Sequence, residues 1–428
     1  MIGKEVITCD VAVIGGGPAG MMAAGTAAQQ DADTALIEKN SRPGRKLLLT
    51  GKGRCNITNA DRDPRSFLAH FGKKGRYLHS ALAAFGVEDA IAFFTERGVP
   101  VKVERGDRVF PESDRAGDVL AVLREFMKQE GVRVLSGHDI TALDAEDGRI
   151  LRATGPGVSV EAKSYILCTG GLSYPATGST GVGLEMARSL GHTIVPPRPS
   201  LVPVLVKDRW VREVEGLSLR NVKVTLLHEG KKAGEEFGEA LFTAEGMSGP
   251  VILDLSRIIG DLAAGRTGLV LDLKPALDHP TLDARVRRDF GANPTRLFKN
   301  SLGALLPSSF VPVIVRMSGI DPDKTVSHIT RDERKALVRV LKELRLEVAG
   351  LDGYEKAIIT AGGVSLDEID TRTMRSRLVE NLFFAGEIID IDGPTGGFNL
   401  QVCWSTGYCA GRAAAGASAP SGLRPPPP

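Results

Sequence analysis

Three glycines near the N-terminus have the spacing of a phosphate-binding loop. Gly15, Gly17 and Gly20 form the pattern G-x-G-x-x-G directly after the apolar run at residues 11–14. In this pattern the first glycine makes the turn from strand to helix. The second lets backbone N–H groups approach a pyrophosphate, and the third lets the helix lie close to the strand. With the positive end of the next helix facing the phosphates, the spacing predicts a dinucleotide site.

An acidic residue strengthens this prediction. The apolar run at residues 34–37 ends in Glu38, at the distance from the glycines where a carboxylate binds ribose hydroxyl groups. A 2′-phosphate would meet this negative charge, so we predict FAD or NAD rather than NADP. A tight structural turn is the alternative reading of the glycines alone. The later glycines at 178, 181 and 183 fall as G-x-x-G-x-G, so any NAD(P)H would bind transiently in the cleft of a flavin.

Composition is that of a globular enzyme. The 428 residues are enough for two or three units, with 42% apolar and 25% charged residues. A net charge of +2 is too small to imply a nucleic-acid-binding protein. The five cysteines include no C-x-x-C pair and no zinc-ligand spacing, which removes the redox-disulfide class and favours a reducing compartment. Without a secretory pattern or a membrane-length apolar run, we predict a cytoplasmic protein with no metal and no membrane contact.

Positive charge is concentrated in one segment. Residues 41–80 contain ten Lys or Arg and only two Asp. They either form a solvated surface, or Arg45, Lys46 and Arg54 serve the dinucleotide while later cations attract an anionic substrate or RNA. Cys55 lies among these cations and glycines, which is an environment expected to lower a thiol pKa. The thiol is either a proton donor to the substrate or a side chain that packs beside the cofactor.

The rest of the sequence predicts the strands and helices that position these residues. A hairpin is predicted at 150–162, and a separate buried strand at 165–167 ends in Thr169 and Gly170, over which a ligand would pass. Another strand is predicted at 139–143. Helices are predicted over 113–129, with Ser113 or Asp114 as the cap, and over 283–306 and 332–344. A proline cluster at 196–199 marks a domain boundary.

The C-terminal part again shows a strand that ends in glycine and a glycine-led helix, as the N-terminal part does. A strand at 382–385 ends in Gly386 and Glu387, and the pair Gly396 and Gly397 opens a small-residue helix from about 399 to 415. The N-terminus of that helix can donate N–H groups to the pyrimidine edge of a flavin, where reduction places negative charge.

Together these segments closely resemble a family of FAD-dependent flavoproteins. The family is known as aminoacetone-oxidase-like or NAD(P)/FAD-dependent oxidoreductases, and it includes proteins named for bile-acid dehydroxylation and for ribosomal RNA dihydrouridine synthesis. The resemblance covers nearly the whole chain. The most specific residues lie at 51–59, 108–113, 173–183, 242–250 and 360–411.

The resemblance implies an α/β fold: a glutathione-reductase-like FAD-binding Rossmann domain with an inserted antiparallel β-barrel plus helical domain. Residues 1–195 and 355–415 would form the FAD domain and 196–354 the insertion, with helices at about 276–345; residues 416–428 would be a disordered tail. The residues expected to contact FAD are Gly15, Gly17, Pro18, Ala19, Gly20, Glu38, Lys39, Arg45, Lys46, Gly53, Arg54, Cys55, Asn56, Ile140 (by its backbone, in a strand), Thr169, Gly170, Gly386, Glu387, Gly396, Gly397, Asn399 and Leu400.

The expected activity is hydride transfer at the flavin N5 atom, with a small molecule as substrate and NAD(P)H as the candidate donor. Two alternatives remain open at this point. One is a reductase of uridine in ribosomal RNA, for which the basic segment and the basic insertion helices give a motive. The other is an aminoacetone-type amine oxidase. A flavin-binding protein without turnover is a further class.

Overall fold

The structure is a computed structural model that describes residues 5–418. The chain divides into two compact units. One runs to Pro199 and resumes at Ala357, and the other is Ser200–Lys356. The first unit is therefore built from both ends of the chain.

The chain up to residue 200 alternates strands and helices. Its elements are β1 (Glu5–Ile14), α1 (Pro18–Ala28), β2 (Thr34–Glu38), β3 (Thr58–Asn59), α2 (Pro64–Ala69), α3 (His79–Ala84), α4 (Val87–Glu96), β4 (Val101–Glu104), β5 (Arg108–Pro111), α5 (Ala116–Gln129), β6 (Arg133–Ser136), β7 (Ala142–Glu146), β8 (Arg149–Gly155), β9 (Val158–Leu167), α6 (Val182–Ser189) and β10 (Ile194–Ser200).

The second unit and the C-terminal return follow. The second unit contains β11 (Val204–Val206), β12 (Ser218–His228), β13 (Lys231–Thr243), β14 (Gly246–Ser248), α7 (Pro250–Asp261), β15 (Thr267–Asp272), α8 (His279–Gly291), α9 (Val311–Ser318), α10 (Arg331–Lys342) and β16 (Leu344–Leu351). The return contains β17 (Ile359–Val364), β18 (Ile369–Asp370), β19 (Arg375–Ser376), β20 (Leu382–Phe384) and α11 (Phe398–Ser418).

A largely parallel sheet organises the first unit. Its strands run in the order β18-β19-β20-β9-β1-β2-β6. The central strand β1 pairs in parallel with β2 and β9, and β6 and β20 extend the sheet in parallel on either side. Val11, Ala12 and Val13 are fully buried, which requires cover on both faces of the sheet. Because parallel strands end at one edge, the loops after β1, β2, β9 and β20 meet there.

Helices α1 and α11 pack together unusually closely in this unit. A Cβ atom on Gly407 would lie 2.5 Å from the carbonyl oxygen of Ala19, and one on Gly411 would lie 2.4 Å from that of Ala23. Only glycine allows two helix backbones to approach to this distance. The two ends of the chain are joined through this contact.

The second unit contains a closed six-stranded barrel in the order β11-β14-β13-β12-β15-β16. Every pairing is antiparallel. Val222, Val224 and Leu226 are buried at alternate positions of β12, as a barrel interior requires. Helices α8, α9 and α10 form the helical part, so the predicted fold class, a Rossmann-type FAD domain with an inserted antiparallel barrel and helices, is confirmed.

Two predicted boundaries are wrong for reasons of chain geometry. Residues 158–162 and 165–167 are one continuous strand, β9, because the whole run follows β1 in register. The strand predicted at 139–143 begins only at Ala142. The chain just before Ala142 is instead attached to the end of β2, because the N–H group of His138 donates to the carbonyl oxygen of Glu38. Ile140 is therefore buried outside a strand.

Two predicted helices also differ. Helix α5 begins at Ala116 without a capping side chain, so the predicted cap by Ser113 or Asp114 is wrong. The carboxylate of Asp114 binds Arg54 and Lys102 instead. The helix predicted at 283–306 spans only His279–Gly291, because Pro294 follows shortly after its end.

Two expectations concern the termini and membranes. Helix α11 continues to Ser418, and the rest of the tail predicted at 416–428 lies outside the described residues. Between residues 5 and 418 no single helix combines the length and apolarity needed to cross a membrane. One pair, residues 72–84 and 87–96, meets those criteria only when its two helices, bent by 42°, are counted together.

Candidate cofactor site

The glycine loop after β1 has the geometry that its spacing predicts. Gly15 has a φ of +105°, and a Cβ there would lie 2.5 Å from the carbonyl oxygen of Cys168. A Cβ on Gly20 would lie 1.9 Å from the carbonyl oxygen of Gly15. Gly17 differs, because no atom lies within 4 Å of its Cβ position. It precedes the first residue of α1, whose N-terminus has no capping side chain. This open cradle at a helix N-terminus fits a pyrophosphate.

Glu38 stands beside the loop at the end of β2. Its Oε2 accepts a hydrogen bond of 2.7 Å from the N–H group of Gly16. Its Oε1 accepts two bonds of 2.7 Å from the backbone and side-chain nitrogens of Asn40. A carboxylate offers about four acceptor sites. Three are used here, so one remains for a ribose hydroxyl group.

The cations beside Glu38 connect it to the 174–181 loop. Lys39 donates from Nζ to Thr180 Oγ1 at 3.0 Å, and Arg45 donates to Asn40 Oδ1 at 2.8 Å. Asn40 in turn donates to the carbonyl oxygen of Thr177. The predicted residues Lys39 and Arg45 thus lie beside Glu38. The buried Ile140 comes two residues after His138, whose N–H group donates to the carbonyl oxygen of Glu38.

Lys46 and Glu387 meet in a half-buried ion pair. Lys46 Nζ lies 2.5 Å from Glu387 Oε2 and 2.6 Å from Ser173 Oγ. Glu387 Oε1 accepts from Ser173 Oγ and from the N–H group of Thr360. The tertiary structure thus brings together two predicted residues that are 341 positions apart. The candidate set did not include Ser173 and Thr360, although each begins a segment on which the family resemblance depends.

Two buried polar atoms of the predicted set lack a partner. Within residues 5–418, Oδ1 of Asn56 and Oγ1 of Thr169 are among the few buried side-chain atoms without a hydrogen bond. Leaving such an atom unsatisfied costs about 1–3 kcal/mol. A polar ligand would remove this cost. The open cradle at Gly17 and these atoms fit a site completed by a dinucleotide.

The glycine pair before α11 is in a conformation that other residues avoid. Gly396 and Gly397 have φ values of +116° and +101°, and a Cβ on Gly397 would lie 2.3 Å from the backbone of Thr58. The side chain of Asn399 bonds the N–H and carbonyl groups of Gly393. It closes this loop, and its Nδ2 also donates to the carbonyl oxygen of Pro394. Leu400 follows it and is half-buried.

A charged cluster lies next to this loop. Lys74 Nζ is 2.6 Å from Asp390 Oδ1 and 3.9 Å from Asp392 Oδ1. Both carboxylates are buried, and burial raises the pKa of Asp390 despite the opposing effect of Lys74. Lys74 is about one-third exposed. The pair is therefore in contact with solvent, and sequence reasoning did not select it as part of the site.

Arg54 is held by two acids, one in β4 and one in the loop before α5. It bonds Glu104 at 2.5 Å and Asp114 at 2.7 Å, and it stacks over the Phe110 ring at 3.9 Å. These contacts occupy its guanidinium group. The structure therefore gives Arg54 a role in holding the 51–55 loop against β4 and β5.

The predicted environment of Cys55 is wrong. The side chain is fully buried, and burial raises the pKa of its thiol to about 12. The cations that suggested a lowered pKa point elsewhere, as Arg54 and Lys46 show. Cys55 also has a φ of +63°, in a loop where Gly51, Lys52 and Gly53 have positive φ as well. Such a strained backbone is typical of functional loops, and the proton-donor role of Cys55 stays a prediction.

Cys55 should resist alkylation in the folded protein. At pH 8 a thiol with a pKa of about 12 is ionised in about one molecule in ten thousand. We expect no Cys55 adduct after treatment with iodoacetamide at pH 8, and full labelling in urea, as measured by peptide mass spectrometry. Fast labelling of the native FAD-bound protein would contradict the neutral buried thiol.

The Cys55→Ala variant separates the two roles that remain. If the residue only packs, flavin reduction and its reoxidation by substrate should both be retained. Normal reduction with failed reoxidation would establish the thiol as a proton donor.

Part of the positive charge of the basic segment at 41–80 is balanced by acids outside it. Besides the ion pairs of Lys46, Arg54 and Lys74, Arg62 pairs with Glu88. Arg76 donates to the hydroxyl of Tyr77. Four of the ten cations are therefore paired with acids outside the segment, which removes part of its positive charge. In the part of the chain that the structure describes, no His, Cys, Asp and Glu group could hold a metal ion.

Comparisons with known proteins extend over nearly the whole chain. The profile of the HI0933-like protein Rossmann domain matches residues 9–413. A 3-dehydro-bile acid delta(4,6)-reductase of Clostridium scindens is 32% identical over 95% of this chain and 98% of its own. A ribosomal RNA dihydrouridine synthase of Escherichia coli is 30% identical over 94% of this chain and 97% of its own.

A solved structure has the same fold. The 3-ketosteroid-delta4-(5alpha)-dehydrogenase of Rhodococcus jostii superposes with a TM-score of 0.54, covering 96% of this chain and 97% of its own. Its sequence identity is 17%, so this likeness concerns the fold alone.

Proposed function

The chain belongs to the HI0933-like family and is an FAD-dependent oxidoreductase, and from this premise we propose that it reduces a carbon–carbon double bond conjugated to a carbonyl group. The family and the enzyme class predicted from the motifs are thereby confirmed. The nature of the substrate and of the donor is the new part of the proposal.

The open cradle at Gly17 supports the cofactor part of this proposal, and the names of the relatives support the substrate part. Gly17 leaves space at the N-terminus of α1, Glu38 keeps an acceptor site beside it, and Glu387 lies at the end of β20 on the same sheet edge. An extended FAD would run along this edge towards Gly396 and Gly397. When bound, FAD takes up and delivers a hydride at N5.

The names of the two relatives suggest which kind of double bond this chain reduces. One describes a reductase of ring double bonds in a 3-dehydro bile acid, and the other a synthase of dihydrouridine. A Δ4 bond beside a 3-oxo group and the C5–C6 bond of uracil are both conjugated to a carbonyl group. Reduction of such a bond needs a hydride at the β-carbon and a proton at the α-carbon.

This chain's residues would divide the remaining work. The N–H groups at the start of α1 would hold the pyrophosphate, and Glu38 the adenosine ribose. Lys46 and Glu387 would hold the ribityl region, and the N-terminus of α11 would stabilise negative charge on the pyrimidine edge. The pair of Lys74 and Asp390 would supply the proton, since it lies beside the loop before α11 and reaches solvent.

Anaerobic mixing with NADH or NADPH tests the direction of the reaction. We expect either nucleotide to bleach the yellow flavin band, and a steroid 4-en-3-one or a uridine-containing RNA then to restore it. Bleaching by aminoacetone but by neither nucleotide would contradict the proposal and favour an amine oxidase. A flavin that no donor reduces would indicate a binding protein without turnover.

A second candidate substrate is uracil within RNA. The dihydrouridine synthase of E. coli is almost as similar to this chain as the bile-acid reductase. The insertion also supports this candidate, because residues 279–345 contain thirteen Lys or Arg against seven Asp or Glu. Restoration of the flavin band by RNA but not by the steroid would select it.

A further inference from the structure

Helix α10 carries a stripe of exposed cations. Arg331, Lys335 and Arg339 are exposed and follow one another at intervals of four residues. Four residues advance an α-helix by about 6 Å and return to nearly the same face. The three charges therefore form a line along one side of the helix.

Helix α8 carries two further exposed cations. It packs against α10, and its Asp283 forms a 2.6 Å ion pair with Arg334. Arg287 and Arg288 of α8 are also exposed. We call Arg287, Arg288, Arg331, Lys335 and Arg339 the α8–α10 basic face.

Neighbouring acids do not neutralise this face. Asp283 is held by Arg334, Asp289 by Arg285 and Glu333 by Lys324. Across residues 5–418, by contrast, the five cations of the basic face form no ion pair or side-chain hydrogen bond. Asp332 is exposed on the same side of α10, about 20° around the helix from Arg339, and leaves the face a net charge of +4. Five unpaired positive charges therefore point to an anionic partner.

The surroundings of the face decide between anionic partners. The large apolar side chains that are exposed in the described chain lie outside α8 and α10. A membrane-bound amphipathic helix needs such side chains beside its cations, and a protein interface needs apolar or aromatic anchors. Four of the five cations are arginines, whose planar guanidinium groups bind phosphate oxygens in pairs. A line of regularly spaced phosphates is the partner that fits.

We propose that the α8–α10 basic face binds the sugar-phosphate backbone of RNA. Such binding rests on the proposed function in one respect, since the RNA would carry the base to be reduced. It deepens that function by assigning the substrate class to a macromolecule.

Fluorescence anisotropy with the FAD-bound protein tests this binding. The probes are a fluorescein-labelled 30-nucleotide RNA hairpin with a uridine-rich loop, a DNA duplex of equal charge, and vesicles of phosphatidylglycerol. The test variant combines Arg331→Glu, Lys335→Glu and Arg339→Glu. The control combines Arg220→Glu, Lys231→Glu and Arg266→Glu, which make the same charge change at exposed positions of the barrel.

We expect the test variant to bind the RNA at least tenfold more weakly than wild type. Its slope of log K against log salt should be about 2 smaller, since each contact to single-stranded phosphate contributes about 0.7. The control variant should bind within about twofold of wild type. Circular dichroism and the flavin spectrum should show both variants folded and loaded with FAD.

Several outcomes would overturn the proposal. They are no RNA binding by wild type at low salt, an equal loss of affinity in both variants, tighter binding of the DNA duplex than of RNA, and binding of the vesicles alone. These results are independent of whether NAD(P)H bleaches the flavin. RNA binding by a protein whose flavin stays oxidised would contradict the proposed reaction and leave the basic face established.

Discussion

Replacing Gly17 with Asp is expected to give a folded protein without FAD. Gly17 has an extended backbone with a φ of −74° and no atom within 4 Å of its Cβ position, so the polypeptide itself can accept a side chain. Asp is also a favourable residue immediately before a helix. The carboxylate would occupy the cradle and repel the pyrophosphate, at a cost of several kcal/mol. We expect FAD affinity to fall at least about a hundredfold.

Gly117→Asp is the matched control. Gly117 is the second residue of α5, and no atom lies within 4 Å of its Cβ position either. An Asp there should change FAD binding little, because the position lies outside the predicted cofactor set. The ratio of flavin to protein absorbance and a titration of the apoprotein with FAD give the comparison. Wild-type FAD affinity of the Gly17→Asp variant would contradict the placement of the cofactor.

Replacing Gly411 with Ala is expected to destabilise the protein, against the usual rule for helices. In an exposed helix interior this change stabilises by up to about 1 kcal/mol. At Gly411 the new methyl group would lie 2.4 Å from the carbonyl oxygen of Ala23 and 3.0 Å from the Cβ of Thr26. Moving α1 and α11 apart should cost about 2–3 kcal/mol, as overpacking does elsewhere.

Thermal unfolding of the apoprotein measures this effect. We expect the Tm of Gly411→Ala to fall by at least about 4 °C, since 1 kcal/mol corresponds to about 2–4 °C in larger domains. Gly416→Ala is the control in the same helix, because nothing lies within 4 Å of its Cβ position. Its Tm should stay equal or rise. An equal rise in both variants would contradict the close packing of the two helices.

The role of the glycines follows from short-range backbone requirements. Gly15, Gly17 and Gly20 meet those requirements within six residues, so their spacing alone predicted the turn, the open cradle and the close packing. Gly396 and Gly397 likewise signalled the start of a helix, and the structure gives both a positive φ. The alternation of strands and helices at both ends indicated the α/β class for the same local reason.

The behaviour of charged and titratable groups could not be predicted in this way. Cys55 was expected to have a lowered pKa because cations surround it in the sequence. Arg54 instead reaches Glu104, fifty residues further on, and the thiol is buried. Lys46 finds Glu387, and Lys74 finds Asp390. Electrostatic effects depend on distance and burial, neither of which follows from neighbourhood in the sequence.

The sequence by itself determined the dinucleotide loop, the acid at Glu38, the fold class and, through its resemblance, the family. Those features depend on steric demands of the backbone and on hydrophobic periodicity, which are written into short stretches of chain. Only the tertiary structure decided which cations are neutralised, and thereby left the exposed positive charge on α8 and α10. It did so because ion pairs form between residues that folding brings within a few ångströms, however far apart they are along the chain.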